Sequence, residues 1–284
     1  MAHITDYSRP VAKDNFRLNK VHTDIVIIGS SRCNHHYVTT MLRDSINNYT
    51  GGGYSLYNGG IDGKFLNSNS CAVESVMDRY SPDMIIFEAS EFDLNSDRVE
   101  RDINFSSHLY NSNRFVKQYN DALGWLQRVK CISNLFRYNN KVSQIASSFF
   151  FPKDDDTGYE PLYNEMTIIP KRLVAETVET DKYTIDNFSR MLNTAADKGI
   201  RLVVVTSPMF NPTNSNKMLA SLCAEHNTPY IELYNLEPFN SHPEYFYDEY
   251  HLNDKGAHIY TAMFFDALKP YLADLNTSDS YQQE

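Results

Sequence analysis

The chain has 284 residues, 42% of them hydrophobic, which is enough to bury a full core. Its formal net charge of −10 is spread along the sequence with no Lys/Arg cluster, so nucleic acid is not expected as a partner. No stretch approaches the roughly 20 apolar residues that span a bilayer, and residues 1–23 lack the apolar core of a signal peptide.

In chain order, residues 1–23 are polar and read as an irregular N-terminal segment. Asp24-Ile25-Val26-Ile27-Ile28-Gly29 is a β-branched run closed by glycine, the pattern of a buried strand in a parallel sheet. Behind it Val38, Met41, Leu42 and Ile46 recur at helical spacing, so Gly29-Ser30-Ser31-Arg32 forms a strand-to-helix turn. Further strands are expected at Tyr54–Tyr57, Met84–Phe87, Arg201–Thr206 and Tyr230–Leu233. Helices are expected around Ile185, Phe188, Leu192 and Ala195, near 214–226, and at the end, where Ala257, Tyr260, Thr261, Phe264, Phe265 and Leu268 share a face.

Strands alternating with helices predict a three-layer α/β/α sandwich on a mostly parallel five-stranded sheet, read as one domain over 1–284. Between about 95 and 180 the alternation breaks into helical patterns around 114–128 and 131–150, then a polar loop through Gly158-Tyr159-Glu160-Pro161-Leu162. An insertion of this length predicts a cap over the site or a partner surface. The acidic run Asp154-Asp155-Asp156 reads as a solvated turn, and the separated Cys33, Cys71, Cys131 and Cys223 as free, mostly buried thiols. The chain reads as soluble; a periplasmic or envelope location would follow if an export segment or anchor preceded Met1.

The chemistry concentrates in two places. Ser31 occupies the turn before a helix whose free N–H groups can receive a developing oxyanion, with Ser30 as the rival nucleophile. In Tyr247-Asp248-Glu249-Tyr250-His251-Leu252-Asn253, Asp248 stands three residues before His251, a spacing that lets a carboxylate orient an imidazole as general base. Arg32 could hold an anion or pair with Asp62 or Asp93. His35 and His36, together with Asp248 and His251, are a weaker candidate for a metal site.

These blocks resemble the SGNH (GDSL-type) hydrolases, in particular a Bacteroides-type bacterial branch. Gly29-Ser30-Ser31 resembles the family's Gly-Asp-Ser, Asn58-Gly59-Gly60-Ile61-Asp62-Gly63 its Asn-x-Gly-x-x-Gly block, and Asp248-x-x-His251-Leu252 its last block. The resemblance implies a flavodoxin-like fold and a catalytic Ser31, His251 and Asp248. It also implies an oxyanion hole from the Ser31 and Gly60 N–H groups, with no cofactor or metal. Where the family has Gly-x-Asn-Asp, this chain has Ser90-Glu91-Phe92-Asp93, so Phe92 replaces the asparagine that would donate to the oxyanion. Asn58, Asn95, Arg32 or a residue of the insertion are candidate replacement donors; Ser30, Arg32, Asn58, Phe92 and Asp93 are expected to line the site. The implied activity is hydrolysis of oxygen esters, with short acyl groups on carbohydrate as the expected substrate. The rivals are acyl transfer to a glycan hydroxyl, and a non-catalytic glycan-binding or envelope protein that has lost the asparagine.

Overall fold

The computed structural model describes residues 10–95, 97, 99–139, 141–143, 145–146, 157–169, 179–212, 216–273 and 275. Five parallel strands form the sheet: β1 (Ile25–Ile28), β2 (Leu56–Asn58), β3 (Met84–Glu88), β4 (Arg201–Thr206) and β5 (Tyr230–Glu232). Their order is β2-β1-β3-β4-β5, in a register that sets Ile25 beside Leu56, Ile28 beside Phe87 and Glu88 beside Val205. This is the doubly wound, flavodoxin-like order, whose switch point lies between the carboxyl ends of β1 and β3.

Alternation along the strands feeds two cores. Val26, Ile28, Ile85, Phe87, Leu202 and Val204 point to one face, where they meet α4 (Leu66–Arg79) and α9 (Lys182–Asp197) through Ala72, Val76, Phe188 and Leu192. Ile25, Ile27, Met84, Ile86, Val203 and Val205 point to the other, against α3 (Thr39–Thr50) and α11 (Asp254–Leu268) through Leu42, Ile46, Tyr260 and Phe264. Both faces are covered, which is why the strands read as continuous apolar runs. A further helix, α10 (Lys217–Glu225), precedes β5 and buries Leu219 and Cys223.

Several expectations change. The helix after the Gly-Ser-Ser-Arg turn is two helices, α2 (Ser31–His36) and α3, because Tyr37 is extended and the Val38 N–H leaves the helical pattern to donate to Thr261 Oγ1. The N-terminal segment is not irregular throughout: Pro10–Asn19 forms α1. Its charged Lys13, Asp14 and Arg17 are buried. Lys13 donates to Asn34 Oδ1 and the Gly158 carbonyl, Arg17 to Asp14, the Gly59 carbonyl and Asn69, and Lys64 to Asp14.

The insertion supplies α5 (Val99–Phe105), α6 (Arg114–Ala122), α7 (Trp125–Ile132) and α8 (Asn134–Tyr138). The pattern expected over 114–128 is broken at Gly124, whose φ of 103° a side chain would disfavour. Helices α5 and α6 pack on α4, α7 on α6 and α8 on α7. None of them lines the site cavity, so the described helices are not a cap; they leave Trp125, Leu126, Val129 and Ile132 exposed. The later segment instead crosses the carboxyl end of β2, with Asn58 N–H donating to Thr157 and Glu160 N–H to Asn34. Asp154-Asp155-Asp156 and the later part of the helix expected at 131–150 lie outside the described residues. No helix among the described residues is long and apolar enough to cross a membrane. All four cysteines are free and buried.

Candidate active site

Strand β1 ends at Gly29, where a Cβ would sit 2.7 Å from Cys33 Cβ and 2.8 Å from the Glu88 carbonyl oxygen. Only glycine lets α2 start this close to β3. Ser30 is the N-cap but makes no capping bond; its buried Oγ points to Glu88 Oε2 at 3.4 Å. Ser31, the first helical residue, directs Oγ to His251 Nε2 at 2.7 Å. The opposite ring nitrogen of His251, Nδ1, lies 2.8 and 2.9 Å from the two Asp248 oxygens.

Asp248 also accepts the backbone N–H groups of Tyr250 and His251, which fixes the turn. Burial alone would raise its carboxyl, but the bonds and charge of His251 and these amides outweigh burial and hold it below the usual range. An ionised Asp248 accepts from Nδ1–H and leaves Nε2 with a lone pair toward Ser31. Leu252 is buried and bridges to Phe246, and Asn253 caps α11 by accepting the Gly256 N–H, so the turn is anchored on both sides.

Ser31 and His251 open on a cavity of about 250 Å³ lined also by Ser30, Arg32, Gly63, Phe65, Ser90, Phe92, Asp93 and Tyr250. Arg32 Nη2 stands 3.3 Å from Glu88 Oε1 and 3.6 Å from Asp93 Oδ2. Asp93 closes a capping box with Ser90. Burial pushes the Glu88 carboxyl up, with Arg32 and Ser207 opposing. Asp62, the other partner considered for Arg32, pairs instead with His35.

Three candidate oxyanion donors do not reach the cavity. Asn58 is fully buried, its amide donating to the Cys33 carbonyl and its oxygen accepting the Gly60 N–H at 2.9 Å. Gly60 therefore has no N–H to offer an oxyanion, and its place is structural: a Cβ there would lie 2.3 Å from the Asn34 amide nitrogen. The same turn delivers Gly63 instead. Gly63 has φ 73°, lines the cavity, and among the described residues its N–H has no acceptor. The block of glycines located the loop; which glycine faces Ser31 depends on a left-handed backbone that residue spacing does not reveal. Asn95 bridges to Thr180 and does not line the cavity.

Gly60→Ala is expected to lower the unfolding free energy by about 3 kcal/mol or more, because backbone rather than a flexible side chain blocks the new methyl. Denaturant unfolding of the purified variant checks this; an unchanged midpoint and slope would contradict the close approach.

The idea of a metal site built from His35, His36, Asp248 and His251 is not supported by their placement. His35 engages Asp62 and Glu160, and His36 engages Ser207 and Leu252. Among the described residues, no group of three or more His, Cys, Asp or Glu could hold an ion.

No family model and no curated protein sequence matches the chain. Its backbone is similar to that of a lipase/acylhydrolase from Enterococcus faecalis, at 13% identity and TM-score 0.44 over 87% of this chain and 95% of that one. It is also similar to an acetyl xylan esterase, at 10% identity and TM-score 0.43 over 86% and 98% of the two chains. A third similarity is to a GDSL-like lipase from Bacteroides thetaiotaomicron, at 12% identity and TM-score 0.39 over 87% and 88%. Similarity this distant concerns the path of the backbone alone.

Proposed function

We propose that the protein is a serine hydrolase of oxygen esters. The observation that carries this reading is the unbroken chain from Ser31 Oγ to His251 Nε2 at 2.7 Å and from His251 Nδ1 to Asp248 at 2.8 Å. Ser31 Oγ attacks the ester carbonyl as Nε2 takes its proton, and Asp248 stabilises the imidazolium. The oxyanion receives the Ser31 N–H, which at the first helical position has no acceptor among the described residues, and the Gly63 N–H. His251 then protonates the leaving alcohol, the acyl group stays on Ser31, and water repeats the sequence to release the acid. A cavity of about 250 Å³ between Phe65 and Phe92 suits a short acyl group, with the alcohol, a carbohydrate in our reading, toward Tyr250 and solvent.

Incubating the purified protein with a fluorophosphonate probe tests the reading: a single label on Ser31 is expected, and a folded protein that takes no label overturns it. A non-catalytic role is the alternative favoured by one observation, Phe92 on the cavity wall where the resemblance calls for a donating asparagine. Loss of one preorganised donor costs about 3–4 kcal/mol, or two to three decades in rate. Phe92→Asn is therefore expected to raise kcat toward p-nitrophenyl acetate by roughly tenfold or more. Unchanged kcat in a folded variant, beside a fast wild-type enzyme, would mean that the hole is already complete. Product analysis with a sugar hydroxyl as competing acceptor separates hydrolysis from transfer.

A further inference from the structure

Two adjacent histidines on α2 lie beside the triad without belonging to it. His35 is 5% exposed, and both of its ring nitrogens face oxygens. Nδ1 is 2.6 Å from the Glu160 carbonyl, and Nε2 is 3.1 Å from Asp62 Oδ1. A carbonyl can only accept, and an ionised carboxylate can only accept, so both nitrogens must donate. Asn34, the preceding residue, donates to the same Asp62 and to Glu160. Asp62 directly precedes Gly63.

His36 is fully buried and has the reverse arrangement. The Leu252 N–H, 2.9 Å from Nε2, can only donate, so Nε2 carries no proton. Nδ1–H then donates to Ser207 Oγ at 2.9 Å, and Ser207 passes its own hydrogen to Glu88 Oε1 at 3.1 Å. Leu252 directly follows His251. Successive side chains diverge by about 100° around a helix. The two rings therefore reach opposite loops from the one short helix that carries Ser31.

We propose that His35 and His36 are paired positioning residues, His35 holding the Asp62–Gly63 loop as a double donor and His36 holding the His251–Leu252 loop as a neutral acceptor. Both halves of the machinery are thereby fixed to the helix of the nucleophile. This rests on the hydrolase reading for its consequence in rate, though not for its hydrogen bonding. The surroundings agree with the two protonation states. Burial opposes charge on His35, but the Asp62 bond and charge and the Glu160 carbonyl outweigh it and its pKa is raised. For His36, burial comes first and the neighbouring His251, Arg32 and His35 add to it, and together they outweigh a backbone hydrogen bond at Tyr250, so its pKa is well below the usual value.

Nitrogen-15 NMR of the full chain near pH 7 is expected to show His35 doubly protonated and His36 as the neutral Nδ1–H form. A neutral His35, or His36 carrying its proton on Nε2, overturns the proposal. His36→Gln places an amide oxygen near the Nε2 position, whereas His36→Asn reaches only the Nδ1 position. Amide exchange at Leu252 should accelerate in His36→Asn and be largely restored in His36→Gln. Fluorophosphonate labelling of Ser31 should slow by roughly 10- to 100-fold in the Asn variant, with KM for p-nitrophenyl acetate little changed, and recover in the Gln variant. Asp62→Asn should slow labelling while leaving Leu252 exchange as in wild type. Equal exchange and labelling in the Asn and Gln variants would refute the role of His36. A wild-type protein that takes no label would defeat the hydrolase reading, while the protonation states and Leu252 exchange would still decide the clamp.

Discussion

Ser31→Ala is expected to reduce kcat toward p-nitrophenyl acetate by on the order of 10⁴- to 10⁶-fold, and His251→Ala by about as much. The two side chains share one proton across 2.7 Å, so either loss disables the same step. The double variant should consequently be no slower than either single one. Ser30→Ala is the control, because Ser30 Oγ points to Glu88 rather than to His251. Steady-state rates on the four proteins measure this directly. Near-normal turnover by His251→Ala, or a double variant slower by the product of the single losses, would refute the assignment of roles.

Asp14→Ala should cost the fold about 3–5 kcal/mol, since it leaves buried cations without their counter-charge. Asp14 Oδ1 accepts Arg17 Nε at 3.1 Å and Lys64 Nζ at 2.9 Å, and all three side chains are inaccessible to solvent. Burial alone would raise the Asp14 carboxyl, but Lys64 and Arg17, with help from His108, hold it well below the usual carboxylate range. A carboxyl whose pKa is lower folded than unfolded stabilises fully above its unfolded value, near 4, and that contribution fades as pH falls toward the folded one. Acid sensitivity below about pH 4 should thus be blunted in Asp14→Ala relative to wild type. Urea unfolding at pH 7 and pH 3 gives both numbers; a loss under about 1 kcal/mol with an unchanged acid limb would contradict the ion network.

What could be read from the sequence was what is local. The run Arg201–Thr206 announced β4 because its β-branched side chains are buried on both faces. Asp248 and His251 meet within one turn, so three residues of spacing suffice to bring carboxylate and imidazole together. The N-terminal helix was illegible for the opposite reason. Lys13 and Arg17 find their partners at Asn34, Gly59, Asn69 and Gly158, and no window of sequence containing Lys13 shows that it will be buried. Phe65 and Tyr250 went unnoticed as cavity walls because they flank motifs rather than belong to them. The exchange of Gly60 for Gly63 has the same origin: composition places the loop, but its path is set by contact with α2.

The sheet's outer strands carry a consequence for behaviour at high concentration. β2 and β5 are only three residues each, and the Asn58 N–H at the end of β2 is already taken by the Thr157 carbonyl. β5 ends on an exposed glutamate, Glu232. A second molecule seeking to add a strand therefore meets a short ladder at either edge, one partly occupied and the other ending in a charge. Edge-to-edge self-association through this sheet is disfavoured by its geometry, and the native protein should resist seeding of β-rich aggregates as long as those borders stay folded.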